Sequence, residues 1–126
     1  MIDDVYRERI LDHYKNPRNY GKIKKGRKVI RVKNPSCGDE IDMSLVIEKG
    51  KVKDISFSSA GCVISTAATS MLTEKIKGMR VSKLAKLDEK VILKMLGIPI
   101  SPVRMKCALL PLEALQKLVK GLNGKG

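Results

Sequence analysis

Apolar positions along this 126-residue chain change period twice, from helical to alternating and back to helical. Val5, Ile10, Leu11 and Tyr14 share a broad face of a helix over residues 4–15, which Asn16-Pro17-Arg18-Asn19 ends. A basic connection of Gly21, Lys22, Lys24, Lys25, Gly26 and Arg27 leads to three strand candidates. Residues 28–32 are rich in β-branched side chains. Ile41, Met43, Leu45 and Ile47 alternate with Asp42, Ser44 and Val46, and residues 52–58 set Ile55 and Phe57 on one face. Glu48-Lys49-Gly50-Lys51 joins the last two as a hairpin with a glycine turn. One face of this antiparallel sheet is apolar and requires a cover.

The cover is helical. Ile64, Ala68, Met71, Leu72 and Ile76 repeat at helical spacing up to Gly78. Asp88 caps a short helix carrying Val91, Ile92, Met95 and Leu96, with Gly97 as its stop. Ser101-Pro102 reads as an N-cap and first-turn proline of a last helix that carries Cys107. Pro111 predicts a kink there or a fresh helix start, because its ring clashes with the carbonyl four residues back. Strands followed by helices predict an α+β fold: a small antiparallel three-stranded sheet with helices packed on one face. No internal repeat or low-complexity segment divides the chain, so residues 1–126 read as a single domain.

Composition narrows the setting. A chain of this length buries roughly two-thirds of its unfolded surface and needs no disulfide to fold. No apolar run approaches the ~20 residues of a membrane span, and Met1-Ile2-Asp3-Asp4 lacks the basic and apolar regions of a signal peptide. The expectation is a cytoplasmic protein that meets no membrane and whose three cysteines stay reduced. A net charge of +13 raises nucleic-acid binding, but the lysines are spread along the chain and Trp is absent with a single Phe. Base-stacking platforms are therefore scarce, and nucleic acid is not the expected partner. A solvated basic surface, or a docking face for acidic proteins, accounts for the charge as well.

The candidate chemistry rests on Cys37, Cys62, Cys107 and Asp39. Cys37 lies on the turn Pro35-Ser36-Cys37-Gly38-Asp39, where Gly38 lets the backbone approach a bound ion and Asp39 can reach the same metal. Asp39 could equally cap local backbone amides. Cys62 follows Gly61 where strand gives way to helix, and the positive end of a helix dipole favours a thiolate. A small buried junction residue is the alternative. Cys107 stands in Arg104-Met105-Lys106-Cys107, where two cations favour the thiolate, or else it is a core cysteine beside Ala108, Leu109 and Leu110. Three soft thiolates and one carboxylate make four ligands, the number that a tetrahedral zinc or a 2Fe-2S cluster requires. The only histidine, His13, sits between Asp12 and Tyr14 on the first helix, a structural or docking position more than a ligand position.

Four ordered motifs carry a family resemblance over nearly the whole length. They are Ile10-Leu11-Asp12-His13-Tyr14-Lys15-Asn16-Pro17-Arg18-Asn19, Asn34-Pro35-Ser36-Cys37-Gly38-Asp39, Gly61-Cys62-Val63-Ile64-Ser65 and Pro102-Val103-Arg104-Met105-Lys106-Cys107. With them the chain resembles the IscU/NifU-type scaffolds on which iron–sulfur clusters are assembled. The resemblance implies a compact SufE/NifU-like α+β fold with Cys37, Asp39, Cys62 and Cys107 converging at one exposed end to bind a labile 2Fe-2S cluster. It implies a carrier more than an enzyme. Sulfur arrives as persulfide from a cysteine desulfurase, iron is added, and the cluster passes to apo iron–sulfur acceptor proteins; the resemblance leaves room for a homodimer.

Two departures from the family pattern shape this reading. IscU proteins usually place histidine before the third cysteine, where this chain has Lys106. An ammonium is not a normal ligand, so Lys106 is assigned a modulating role and Asp39 becomes the fourth-ligand candidate. Lysine at that position is similar to the SufU branch, many of whose members bind zinc and accept sulfur from a desulfurase. A zinc-bearing sulfurtransferase is therefore the alternative function. SufU proteins generally carry an insertion between the second and third cysteines, which this chain lacks. The second departure is Ile100-Ser101-Pro102-Val103-Arg104, which stands where many bacterial IscU proteins have a Leu-Pro-Pro-Val-Lys chaperone motif.

Overall fold

Alternation sends Ile41, Met43 and Leu45 of one strand, and Ile55 and Phe57 of the next, into the core. The structure, a computed structural model, describes residues 2–21, 29–33 and 38–123. The basic connection at 22–27 lies outside the described residues. Strands β1 (Val29–Lys33), β2 (Glu40–Glu48) and β3 (Lys51–Ala60) are antiparallel neighbours in that order. Met43 stands opposite Ile30 on one side and Phe57 on the other, with an irregularity in the β2–β3 register between Val46 and Ile47. Lys49 and Gly50 make a two-residue hairpin, and both have positive φ (54° and 75°), as a type I′ turn requires.

Helices follow the sheet, and the fold is α+β. Helix α2 (Val63–Ile76) packs on β3, and α5 (Pro102–Asn123) packs on β1, β2 and α2. The short α3 (Val81–Leu84) and α4 (Glu89–Leu96) lie against α5, and α1 (Ile2–Lys15) lies on α2. Asp88 caps α4 by accepting from the Val91 amide at 3.3 Å. Gly97 ends α4 at φ 70°, and a Cβ there would stand 2.2 Å from the Tyr6 ring, so this glycine also lets α1 approach. The Ser101 carbonyl accepts from the amides of Arg104 and Met105, which starts α5 where the sequence placed it. No fresh helix begins at Pro111. Helix α5 runs through it, and Pro111 brings no N–H to the carbonyl of Cys107. No helix among the described residues is long and apolar enough to cross a membrane.

Two faces differ from the sequence expectation. Among the residues of α1 whose burial is described, Ile10 and His13 are buried, while Val5, Leu11 and Tyr14 are exposed. The helix meets the molecule along α2, so a narrow stripe is covered instead of a broad face. On α2 the hydroxyls of Ser65, Thr66, Thr69, Ser70 and Thr73 are buried along with the apolar stripe, because α1 covers what would be a solvent face. Two of them bond within the helix: Thr69 Oγ1 donates to the Ser65 carbonyl at 2.7 Å, and Thr73 Oγ1 to the Ser70 carbonyl at 2.8 Å.

His13 joins these two helices. Its Nδ1 is 2.7 Å from Ser70 Oγ, which also accepts the Arg18 amide at 2.8 Å. The Ser70 proton is then directed at Nδ1, and Nε2–H faces Glu74 Oε1 at 3.9 Å. Desolvation, reinforced by the Arg18 charge, holds the His13 imidazole below its ordinary value of 6.5, against the opposing pull of Glu74 and Asp12. Below pH 6.5 the unfolded chain therefore binds more protons than the folded one. Stability from this group is present above pH 6.5 and is lost as pH falls toward the folded value. Urea unfolding midpoints at pH 7.5 and 5.5 should differ in the wild type and differ less in His13→Gln; an equal slope in both proteins would assign the loss to other groups.

Candidate metal centre

The β2–β3 register builds the centre of the site. Glu40 pairs with Ala60 as the last rung, so the next residues outward, Asp39 and Gly61, lie side by side where the chain leaves the sheet. Gly61 has no side chain to intervene. A Cβ there would stand 2.6 Å from Ser65 Oγ and 3.1 Å from Asp39 Oδ1. Asp39 Oδ1 accepts the backbone N–H of Cys62 at 3.2 Å. The amide-capping alternative is thus realised across 23 residues.

Cys62 is the N-cap of α2, and its Sγ accepts the Ser65 amide at 3.5 Å. It is half-buried. Cys107 lies buried in the second turn of α5. One ligand atom from each of Asp39, Cys62 and Cys107 lies within 4.8 Å of the other two. Thiolates around a tetrahedral ion with metal–sulfur bonds of ~2.3 Å sit roughly 3.8 Å apart, so only a small contraction would close the set. Cys37 lies outside the described residues.

The burial differs from the exposed end that the resemblance implied. Cys107 is 1 % exposed and Asp39 5 %. Cys107 is a buried core cysteine beside Ala108 and Leu110, and its sulfur also lies near the other two donors. Lys106 and Arg104 point to solvent from the same turns of α5. His13 is bonded to Ser70 and is not among the gathered donors. Ser65 was not anticipated as part of this site. Its signal in the sequence was the spacing Cys62-x-x-Ser65 at a helix start, a capping interval, read only as part of a longer motif.

A donor set of two thiols and a carboxylate suits a borderline or soft metal, and a hard oxygen-only cation would not select it. Comparison with known proteins agrees with that chemistry. The family model described as NifU-like N terminal domain matches residues 5–126. The zinc-dependent sulfurtransferase SufU of Bacillus subtilis is 36 % identical over 140 aligned positions that cover 98 % of this chain and 95 % of SufU. Iron sulfur cluster assembly protein 1, mitochondrial, of Debaryomyces hansenii is 34 % identical, over 96 % of this chain and 69 % of its own. A crystal structure from Fervidobacterium islandicum AW-1 is described as an iron–sulfur cluster assembly scaffold protein for the SUF system. It superposes with a TM-score of 0.76 at 31 % identity, covering 89 % of this chain and 94 % of that one.

Proposed function

We propose, for a chain that belongs to the NifU-like N-terminal domain family, a scaffold that assembles a labile 2Fe-2S cluster on Cys37, Asp39, Cys62 and Cys107 and passes it to apo-proteins. The observation that carries this reading is the meeting of Asp39, Cys62 and Cys107 within 4.8 Å from three separate elements. Three thiolates hold iron firmly, and a carboxylate oxygen is a harder, weaker partner for a sulfide-bridged iron. The fourth position is then the one that an acceptor's thiol displaces first. A cysteine desulfurase supplies the sulfur, and Lys106, exposed beside Cys107, adds positive charge near incoming anionic sulfur species. The protein is a single-domain cytoplasmic carrier in this reading, with β1 completing a three-stranded, SufE/NifU-like layer that bears its helices on one face.

The zinc sulfurtransferase reading draws on the 36 % identity with SufU and on Lys106. Against it, 140 aligned positions exceed the 126 residues of this chain, so at least 14 of them (140 − 126) have no counterpart here. Anaerobic purification followed by reconstitution separates the two. The scaffold should gain visible absorbance with iron and labile sulfide in equal amounts. A colourless protein that keeps zinc and takes sulfur from a desulfurase would replace the first reading with the second.

A further inference from the structure

Ser65 stands against the sulfur of Cys62 at the start of α2. It is fully buried, and three of its contacts go to one residue. Its amide donates to Cys62 Sγ at 3.5 Å, its Oγ lies 3.7 Å from the same sulfur, and its hydroxyl donates to the Cys62 carbonyl at 3.2 Å. With the thiol protonated, Sγ–H points at Ser65 Oγ and the serine proton goes to the carbonyl, a closed relay. When a metal takes the place of the thiol proton, that proton leaves to solvent and the sulfur becomes an acceptor only. Rotation about one bond then turns the serine hydroxyl from the carbonyl to the sulfur. The missing Cβ of Gly61 leaves Oγ the room to sit there.

We infer that Ser65 is a positioning residue for Cys62, holding the sulfur with its amide and supplying a second, hydroxyl hydrogen bond once metal is bound. The inference rests on the scaffold reading and deepens it. Hydrogen bonds to metal-bound sulfur lower the energy of its lone pairs and tune the potential of a cluster. Ser65 thus singles out one of the cysteines as the weaker electron donor to the cargo.

Cobalt(II) is the probe, added anaerobically to the full-length apo-protein. The wild type should show a thiolate-to-cobalt charge-transfer band. Ser65→Ala should bind the same amount of cobalt with that band moved to longer wavelength, and Ser65→Thr, which restores a hydroxyl, should return it. The reconstituted cluster of Ser65→Ala should be reduced at a more negative potential than wild type, a change that a purely structural role would not produce. Should the alanine variant lose helix content, the isosteric pair Ser65→Thr and Ser65→Val makes the same comparison. A wild-type band that is unmoved in the variants lacking the hydroxyl overturns the role of Ser65 alone. Absence of any thiolate–cobalt band in the wild type overturns the scaffold reading together with it.

Discussion

Cys62→Ser is expected to lose stable cluster binding while its helix and fold stay intact or gain slightly in stability. The expectation comes from the two jobs that one sulfur performs. As a cap, Cys62 accepts the Ser65 amide at 3.5 Å, and serine is among the best N-cap residues, so the substitution keeps the bond with a stronger acceptor. As a donor to metal, the serine hydroxyl is not deprotonated at neutral pH and is a poor partner for sulfide-bridged iron. The helix does not depend on the metal either, because Ala67, Ala68, Met71, Leu72 and Ile76 anchor α2 in the core. Cys107→Ser makes a useful contrast. It should also lose the cluster, but a hydroxyl placed at a 1 % exposed position costs roughly 1–3 kcal/mol unless it finds a partner. Iron and sulfide counting after reconstitution, with thermal unfolding of the apo-proteins, checks both. Full iron and sulfide loading in Cys62→Ser would remove that thiol from the ligand set.

Much of this could be read from residue order, and the part that could not has physical causes. Alternation at Ile41, Met43 and Leu45 set the face of β2, Lys49-Gly50 set the hairpin, and Asp88 and Gly97 bounded α4. These are local signals, decided within one element. The buried stripe of α1 depended on a distant partner. Nothing within residues 4–15 says that α2 would cover Ile10 and His13 and leave Leu11 and Tyr14 in water. The polar face of α2 was hidden for the same reason. Of the two outcomes expected at Pro111, the fresh helix start does not occur, because a proline is tolerated inside a helix whose flanks, Leu110, Leu112 and Leu115, are held in the core. At the site, the helix start at Cys62 and the cationic flank of Cys107 were legible. The meeting of Asp39, Cys62 and Cys107 was implied by the family resemblance and by no local signal, since it depends on Glu40 pairing with Ala60 and on α5 lying against α2.

Asp39 is where structure sharpens the mechanism, because its carboxylate is engaged before any metal arrives. Oδ1 holds the Cys62 amide at 3.2 Å, so the side chain orients the start of α2 and stands within 4.8 Å of two thiols at once. Asp39→Ala removes both roles. Loss of a hydrogen bond to a charged group should lower apo-protein stability by roughly 1.5–3 kcal/mol. Three cysteines should still collect a cluster, with an exogenous ligand at the fourth place, but transfer to an apo-ferredoxin should slow sharply. Asp39→Asn separates the roles: its amide oxygen can keep the Cys62 N–H while the anionic oxygen is gone, so stability should recover and transfer should not. Asp39→Cys offers a fourth thiolate and should give a tighter cluster that transfers more slowly than wild type. The decisive comparison is the transfer rate across wild type, Asp39→Ala, Asp39→Asn and Asp39→Cys, read beside their unfolding midpoints. Equal transfer rates in all four, with only the midpoints changed, would reduce Asp39 to a residue that caps the Cys62 amide.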